Sequence, residues 1–280
     1  MGFGTTLGHQ LLKQLVAPGC RRFEQHLGEL ERVQRARLSR WLAAAAPTPE
    51  GQRLGIQADW TWEEFAQHRP LTTYKDYADV LERQRATREC LLIDSPTMRY
   101  QPTSGSTSAV KWIPYSKLFL AELDEVITAW FGDLYRQFPK QTAGTHYWSL
   151  SWIPTEMRSQ TAGDINDDMK MLSWGKRLLA YLTQAVPQDV ALAETSDDSL
   201  FATIAHLCAD ESLGFISVWS PTFALGAMEQ MSRWRLELAD CLSQGQWGER
   251  TARMAGSTCP TSARAARLLR EWDGVLTPEF

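Results

Sequence analysis

The sequence predicts an α/β fold: an α-rich lobe over residues 1–90, then a mixed sheet flanked by helices over 91–280. Three observations point to it. Apolar residues in the first ninety positions recur at helical spacing. Beyond them, short aromatic and β-branched runs alternate with longer helical stripes. With 280 residues and 44% hydrophobic content, the chain can also bury a large core, as one domain or as two packed lobes.

Phe23, Leu27, Leu30, Val33, Leu38 and Leu42 recur at helical intervals among Glu, Arg and Gln, which predicts one amphipathic helix fading into the alanines before Pro47. Pro47 to Gly51 reads as a surface turn. Thr61 to Gln67 reads as a short helix capped by Thr61, with Glu63 and Glu64 in its first turn and Pro70 ending it. Leu71 to Tyr77 leads into a second amphipathic helix through Val80 and Leu81. Leu91-Leu92-Ile93 reads as a short buried strand and Met98 to Gln101 as another. From Ser116, the positions Phe119, Leu123, Val126, Ile127, Trp130, Phe131, Leu134 and Phe138 trace a wide apolar stripe, a core-facing helix between Pro114 and Pro139. Thr145 to Trp152 reads as a strand. Phe215 to Trp219 reads as a second one, apolar enough for a buried place in a sheet. Ser220-Pro221-Thr222 starts a helix, with Ser220 as cap and Pro221 in the first turn.

Composition narrows the function. Charged residues make up 22% and the net charge is -4, far from the basic face of a nucleic-acid binder, so no nucleic-acid partner is expected. Five scattered cysteines without C-x-x-C spacing argue against a disulfide framework or a structural zinc, and suit a reducing cytoplasm. Met1 to Gly19 carries Lys13 as its one Lys or Arg and has no signal-peptide core. No run approaches the ~18 apolar residues of a membrane span, so no membrane partner is expected. The twelve tryptophans read as core and surface filler between lobes. Asp164, Asp167 and Asp168 lack the glycine and distal glutamate of a calcium loop and read as a solvated turn, so no metal-ligand set is assigned. His146 and His206 have no triad partners nearby in sequence and read as structural.

One segment cannot pack a core. Thr103, Ser104, Gly105, Ser106, Thr107 and Ser108 are six small hydroxyl or glycine residues in a row, and Lys111 follows two apolar positions later. Between flanking strands, such a loop can line backbone N–H groups and hydroxyls against phosphate oxygens while the lysine supplies a point charge. An ordinary polar turn is the competing reading. A Walker loop is disfavoured, because the second glycine and the Lys-Ser/Thr pair are missing, and there is no dinucleotide fingerprint.

Thr103 to Lys111 resembles the T-S-G-[ST]-[ST]-G-x-x-K signature of the acyl-adenylate-forming superfamily, with Ser108 in place of the usual glycine. Within it, three more stretches resemble the auxin-responsive acyl acid–amino acid synthetases, the GH-three family, and their bacterial relatives. Pro70 to Tyr77 is similar to a P-[IV]-x-T-Y-x-D segment. Lys111 to Ser116 is similar to K-x-[IL]-P-[YF]-[ST], and Phe215 to Phe223 to S-V-W-x-P-[ST]-F. The resemblance covers residues 60 to 280.

The resemblance implies that a carboxylic acid attacks the α-phosphate of Mg²⁺-bound ATP to give an acyl-adenylate, and that an amino acid or other amine then displaces AMP. It makes Thr103, Ser104, Gly105, Ser106, Thr107, Ser108 and Lys111 the nucleotide-binding residues, with Lys111 also the catalytic cation. Trp219, Thr222 and Phe223 are candidates for the acyl pocket, with plain core as the other reading. The resemblance also implies a further C-terminal half. On that view Thr277 to Phe280 reads as an interrupted helix start, and the chain alone is expected to bind ATP weakly and not turn over. Two alternatives stay open: an acyl-CoA or acyl-protein ligase of the same superfamily, and a non-catalytic remnant acting as a binding module. The oligomeric state, the acid and the acceptor are not legible.

Overall fold

Capping chemistry sets several helix starts in the computed structural model, which describes residues 3–103, 111–140, 143–148, 150–152, 154–158, 166–167, 174–218 and 220–277. Helix α1 spans Phe3–Leu27 and α2 spans Leu30–Ala45. The single helix expected from Phe23 to Leu42 is therefore two. The chain turns where Gly28 N–H donates to Gln25 O and Glu29 N–H to His26 O, since glycine weakens the helix there. Helix α3 (Pro49–Arg53) is capped by Thr48. Helix α4 (Trp62–His68) has the expected Thr61 cap as a full capping box with Glu64. After a 3₁₀ turn at Tyr74–Tyr77 comes α5 (Ala78–Thr87), as expected.

Leu91-Leu92-Ile93 is not a strand. The side chain of Gln84, 3% exposed on α5, accepts from the N–H groups of both Leu91 and Leu92, at 3.0 and 3.1 Å. A buried amide thus takes the bonds that a neighbouring strand would have supplied. Strand β1 (Thr97–Thr103) and strand β2 (Lys111–Ser116) follow, then α6 (Lys117–Gln137), whose first turn is capped by the Ser116 hydroxyl. The apolar stripe of α6 is only partly buried: Phe131 and Tyr135 are inside, whereas Val126, Trp130 and Phe138 are exposed.

The remaining elements are β3 (Thr145–Trp148), β4 (Leu150–Ser151), α7 (Thr155–Arg158), β5 (Asn166–Asp167), α8 (Trp174–Tyr181), α9 (Ser196–Ala209), β6 (Leu213–Ser217), α10 (Pro221–Gln244) and α11 (Ala263–Glu271). The architecture is α/β. In place of one mixed sheet, the described strands form three two-stranded sheets: β1–β2 antiparallel, β3–β6 parallel and β4–β5 antiparallel. β6 is not the buried strand expected, because half of Ile216 is exposed.

The chain divides into two compact units, residues 17–130 and residues 1–16 with 131–280. The boundaries between them fall within α1 and α6. In the second unit, α10 packs on α9 and α11 over Phe201, Leu238, Leu242, Trp247 and Met254. None of the five cysteines is joined in a disulfide. Among the described residues, no helix is long and apolar enough to cross a membrane.

The same unit holds a buried histidine. His9 on α1 lies 2.6 Å by Nε2 from Gly144 O and 2.8 Å by Nδ1 from the Tyr135 hydroxyl. A carbonyl only accepts, so Nε2 carries the proton and Nδ1 accepts from Tyr135. Its ring also faces His146, with centroids 4.7 Å apart. Burial lowers the pKa of His9 below 6.5, outweighing the opposite pull of the Gly144 carbonyl. The unfolded chain therefore binds the proton more readily, and this stability is present above pH 6.5 and lost as pH falls from there. His206, also lowered by burial, acts in the same direction. The melting temperature is expected to drop between pH 7.5 and 5.5, and to drop less in His9→Gln. Identical pH profiles would refute the neutral His9.

Candidate functional site

The hairpin β1–β2 pairs Arg99 with Tyr115, Tyr100 with Pro114, Gln101 with Ile113, Pro102 with Trp112 and Thr103 with Lys111. The Arg99 guanidinium lies 4.8 Å from the Tyr115 ring directly across the ladder, a cation–π pair that favours this register. Of the loop residues singled out from sequence, Thr103 closes β1 and Lys111 opens β2. Ser104, Gly105, Ser106, Thr107 and Ser108 lie outside the described residues, as do Asp164, Asp168, Trp219 and Pro278 to Phe280.

Lys111 is half-buried, and its ammonium lies 5.7 Å from the centre of the Tyr74 ring. Among the described residues it has no carboxylate partner. The Trp112 N–H donates to the Tyr74 hydroxyl at 3.0 Å, and the Arg85 guanidinium stacks 4.8 Å from the Trp112 ring. Consecutive strand residues point to opposite faces, so Lys111 and Trp112 meet different neighbours, and Tyr74 reaches the strand from the side. Local chemistry places Tyr74. The Thr73 N–H and hydroxyl both donate to Asp76 Oδ2, at 2.6 and 2.9 Å, closing the 3₁₀ turn that starts with Tyr74. The backbone bond from Thr73, and then its hydroxyl, hold the Asp76 carboxyl below the usual carboxylate range. Gln84 completes the support, donating from Nε2 to Thr97 Oγ1 at 3.2 Å.

The site thus offers one lysine cation at the end of a hydroxyl-rich connection, backed by aromatic rings. The chemistry of its described residues is attraction of an anion. Sequence reasoning did not assign Tyr74 or Arg85 to it, although the Thr73-x-x-Asp76 spacing is a legible capping signal.

Thr222 and Phe223 belong to the other unit, in the first turn of α10. There Ser220 Oγ accepts from the Phe223 N–H at 3.2 Å and Pro221 sits at the helix start, as expected. Phe223 is 37% exposed. Asp167 pairs with Leu150 in β4–β5. Among the described residues, no group of three or more His, Cys, Asp or Glu could hold a metal ion. His146 is buried against Phe131 and Phe215.

Comparison with known proteins adds a family and a fold. A family model described as the GH3 family N-terminal domain matches residues 19–279. Among solved structures, a GH3.15 acyl acid amido synthetase superposes with TM-score 0.67 at 15% identity, over 90% of this chain and 46% of that one. An AtGH3.15 acyl acid amido synthetase in complex with 2,4-DB gives TM-score 0.63 at 16% identity, over 86% and 43%. At such identities the likeness speaks for the fold. The chain spans less than half the length of these structures. No curated protein matches it.

Proposed function

The chain belongs to the GH3 family, and from that premise we propose that it supplies the nucleotide-gripping part of an adenylating amide ligase. The enzyme activates a carboxylic acid with ATP and passes the acyl group to an amino acid or another amine. The observation that carries this reading is the Lys111 ammonium, which opens β2 directly after the hydroxyl-rich loop and is not neutralised by any described carboxylate.

In the reaction, the substrate carboxylate attacks the α-phosphate, the bond to the bridging oxygen breaks, and pyrophosphate leaves with that electron pair. A carboxylate oxygen is a poor leaving group and AMP a good one, so activation makes the later amide bond accessible. The protein's task is to position the reactants and to offset the charge gathering on pyrophosphate. Lys111 does so as a point charge, with the backbone N–H groups and hydroxyls of Thr103 to Ser108 as donors to the β- and γ-phosphates. Mg²⁺ bound to the triphosphate would shield it further. The α10 start at Thr222 and Phe223, with Trp219 before it in sequence, is a candidate wall for the acyl group.

MgATP is expected to raise the melting temperature of the wild-type chain, by an amount that grows with the logarithm of its concentration. Lys111→Ala removes a charge-assisted contact and is expected to weaken MgATP binding about 10–100-fold. Equal stabilisation of both proteins, or of neither, would refute the site.

A further inference from the structure

We propose that Tyr74 is a positioning residue for the phosphate-binding cation, holding the Lys111 side chain and the first residues of β2 in place before nucleotide arrives. The inference rests on the reading of the hairpin as a triphosphate grip and adds a residue to it.

Two contacts from one side chain carry it. The Tyr74 ring takes the Lys111 ammonium at 5.7 Å, within cation–π range but toward its outer limit. The Tyr74 hydroxyl accepts from the N–H of the next residue, Trp112, at 3.0 Å. Trp112 stands opposite Pro102, which as a proline has no N–H to offer the Trp112 carbonyl in the ladder, while the Trp112 N–H goes to Tyr74 outside it. The strand at this point is therefore fixed from outside the hairpin. The contact spans 38 residues of sequence, and the ring is presented by the turn that the Thr73 N–H and hydroxyl close on the Asp76 carboxylate. Arg85 on the Trp112 ring adds a second cation–π brace.

A free lysine has four rotatable carbons, and docking its ammonium on a ring removes much of that freedom in advance. The ring's pull on a partly exposed ammonium is weak beside that of a phosphate, so the cation can leave for the nucleotide without a large penalty. Tyr74 thereby lowers the ordering cost of binding and makes no contact with the reacting atoms.

The test compares wild type, Tyr74→Phe and Tyr74→Leu by two readouts: the NMR shift of the Lys111 ε-methylene, and MgATP affinity by calorimetry. Urea unfolding serves as the control for fold. Wild type is expected to show a ring-shifted, upfield Lys111 signal. Tyr74→Phe keeps the ring and the shift but loses the bond to Trp112, and is expected to bind MgATP about threefold more weakly. Tyr74→Leu is expected to lose the shift and bind about tenfold more weakly. Wild-type affinity in Tyr74→Leu, alongside lost affinity in Lys111→Ala, would overturn the inference and leave the grip standing. Should Tyr74→Leu fail to fold, unchanged affinity in Tyr74→Phe would overturn it instead. Wild-type protein that takes up no MgATP, with the Lys111 signal still upfield, would overturn the grip and the inference with it.

Discussion

Gly144→Ala is expected to destabilise the unit formed by residues 1–16 and 131–280 by about 3 kcal/mol or more. A Cβ at this position would lie 2.0 Å from Ser212 O and 3.0 Å from Gly214 N. Both are backbone atoms, so neither can swing aside as a side chain would. The close approach has a structural purpose. Thr145 N–H donates to Ser212 O at 2.9 Å, starting the parallel β3–β6 ladder, and Gly144 O accepts from His9. A bulkier residue pushes β6 off β3 and disturbs the His9 contact at once. Gly226→Ala is the control. It lies inside α10 with nothing within 4 Å of the added carbon, and alanine there is expected to stabilise by about 0.5–1 kcal/mol. Urea unfolding of the two variants measures both. Equal effects would show that the β3–β6 pairing is wrongly placed.

The second large effect concerns Asp198, 2% exposed in the first turn of α9. Its Oδ1 lies 2.8 Å from Arg250 Nη1 and its Oδ2 3.0 Å from Arg253 Nε, while Thr195 donates to Oδ2 at 2.7 Å. Burial alone would raise its pKa, but the bonds from Thr195, Arg250 and Arg253 outweigh it, and the carboxyl is held below the usual range. Arg250 is itself locked, 4.2 Å from the Phe201 ring and paired with Glu237. Asp198→Ala leaves one guanidinium mostly buried with half its partners gone, and is expected to cost about 3 kcal/mol. The exposed pair Arg270–Asp240 has a similar distance, 2.7 Å, but Asp240 is 66% exposed. Asp240→Ala is expected to cost under about 1 kcal/mol. Since the folded carboxyl is the stronger acid, the Asp198 contribution is present above pH 3.8 and lost as pH falls through its lower folded value. Similar losses in the two variants would contradict the ranking by burial.

The parts of the fold that sequence makes legible are those decided within a few residues. Thr61 with Glu64, and Ser220 with Phe223, cap helices by contacts three positions apart, and both stand where the pattern puts them. The misses arise where a distant group takes over. Leu91 to Ile93 looks like a strand until the Gln84 side chain satisfies its backbone. The apolar stripe from Phe23 to Leu42 keeps its period across Gly28, but the backbone does not. The alternation of strands and helices implies one mixed sheet, but pairing is a non-local choice that periodicity does not record.

The candidate site divides the same way. Lys111 is proposed from its place at the end of a hydroxyl run, and the strand read at Met98 to Gln101 lies within β1. The roles of Tyr74 and Arg85 are not legible, since each depends on how a separate segment packs against β2.

The most direct test of the central claim is labelling with an ATP analogue carrying a photoreactive group on its γ-phosphate. After irradiation with Mg²⁺, the modified peptide is mapped by mass spectrometry. Attachment within the segment from Thr103 to Ser116, suppressed by excess MgATP and absent in Lys111→Ala, is the predicted result. Attachment elsewhere, or labelling that survives both competition and the Lys111 substitution, would contradict it.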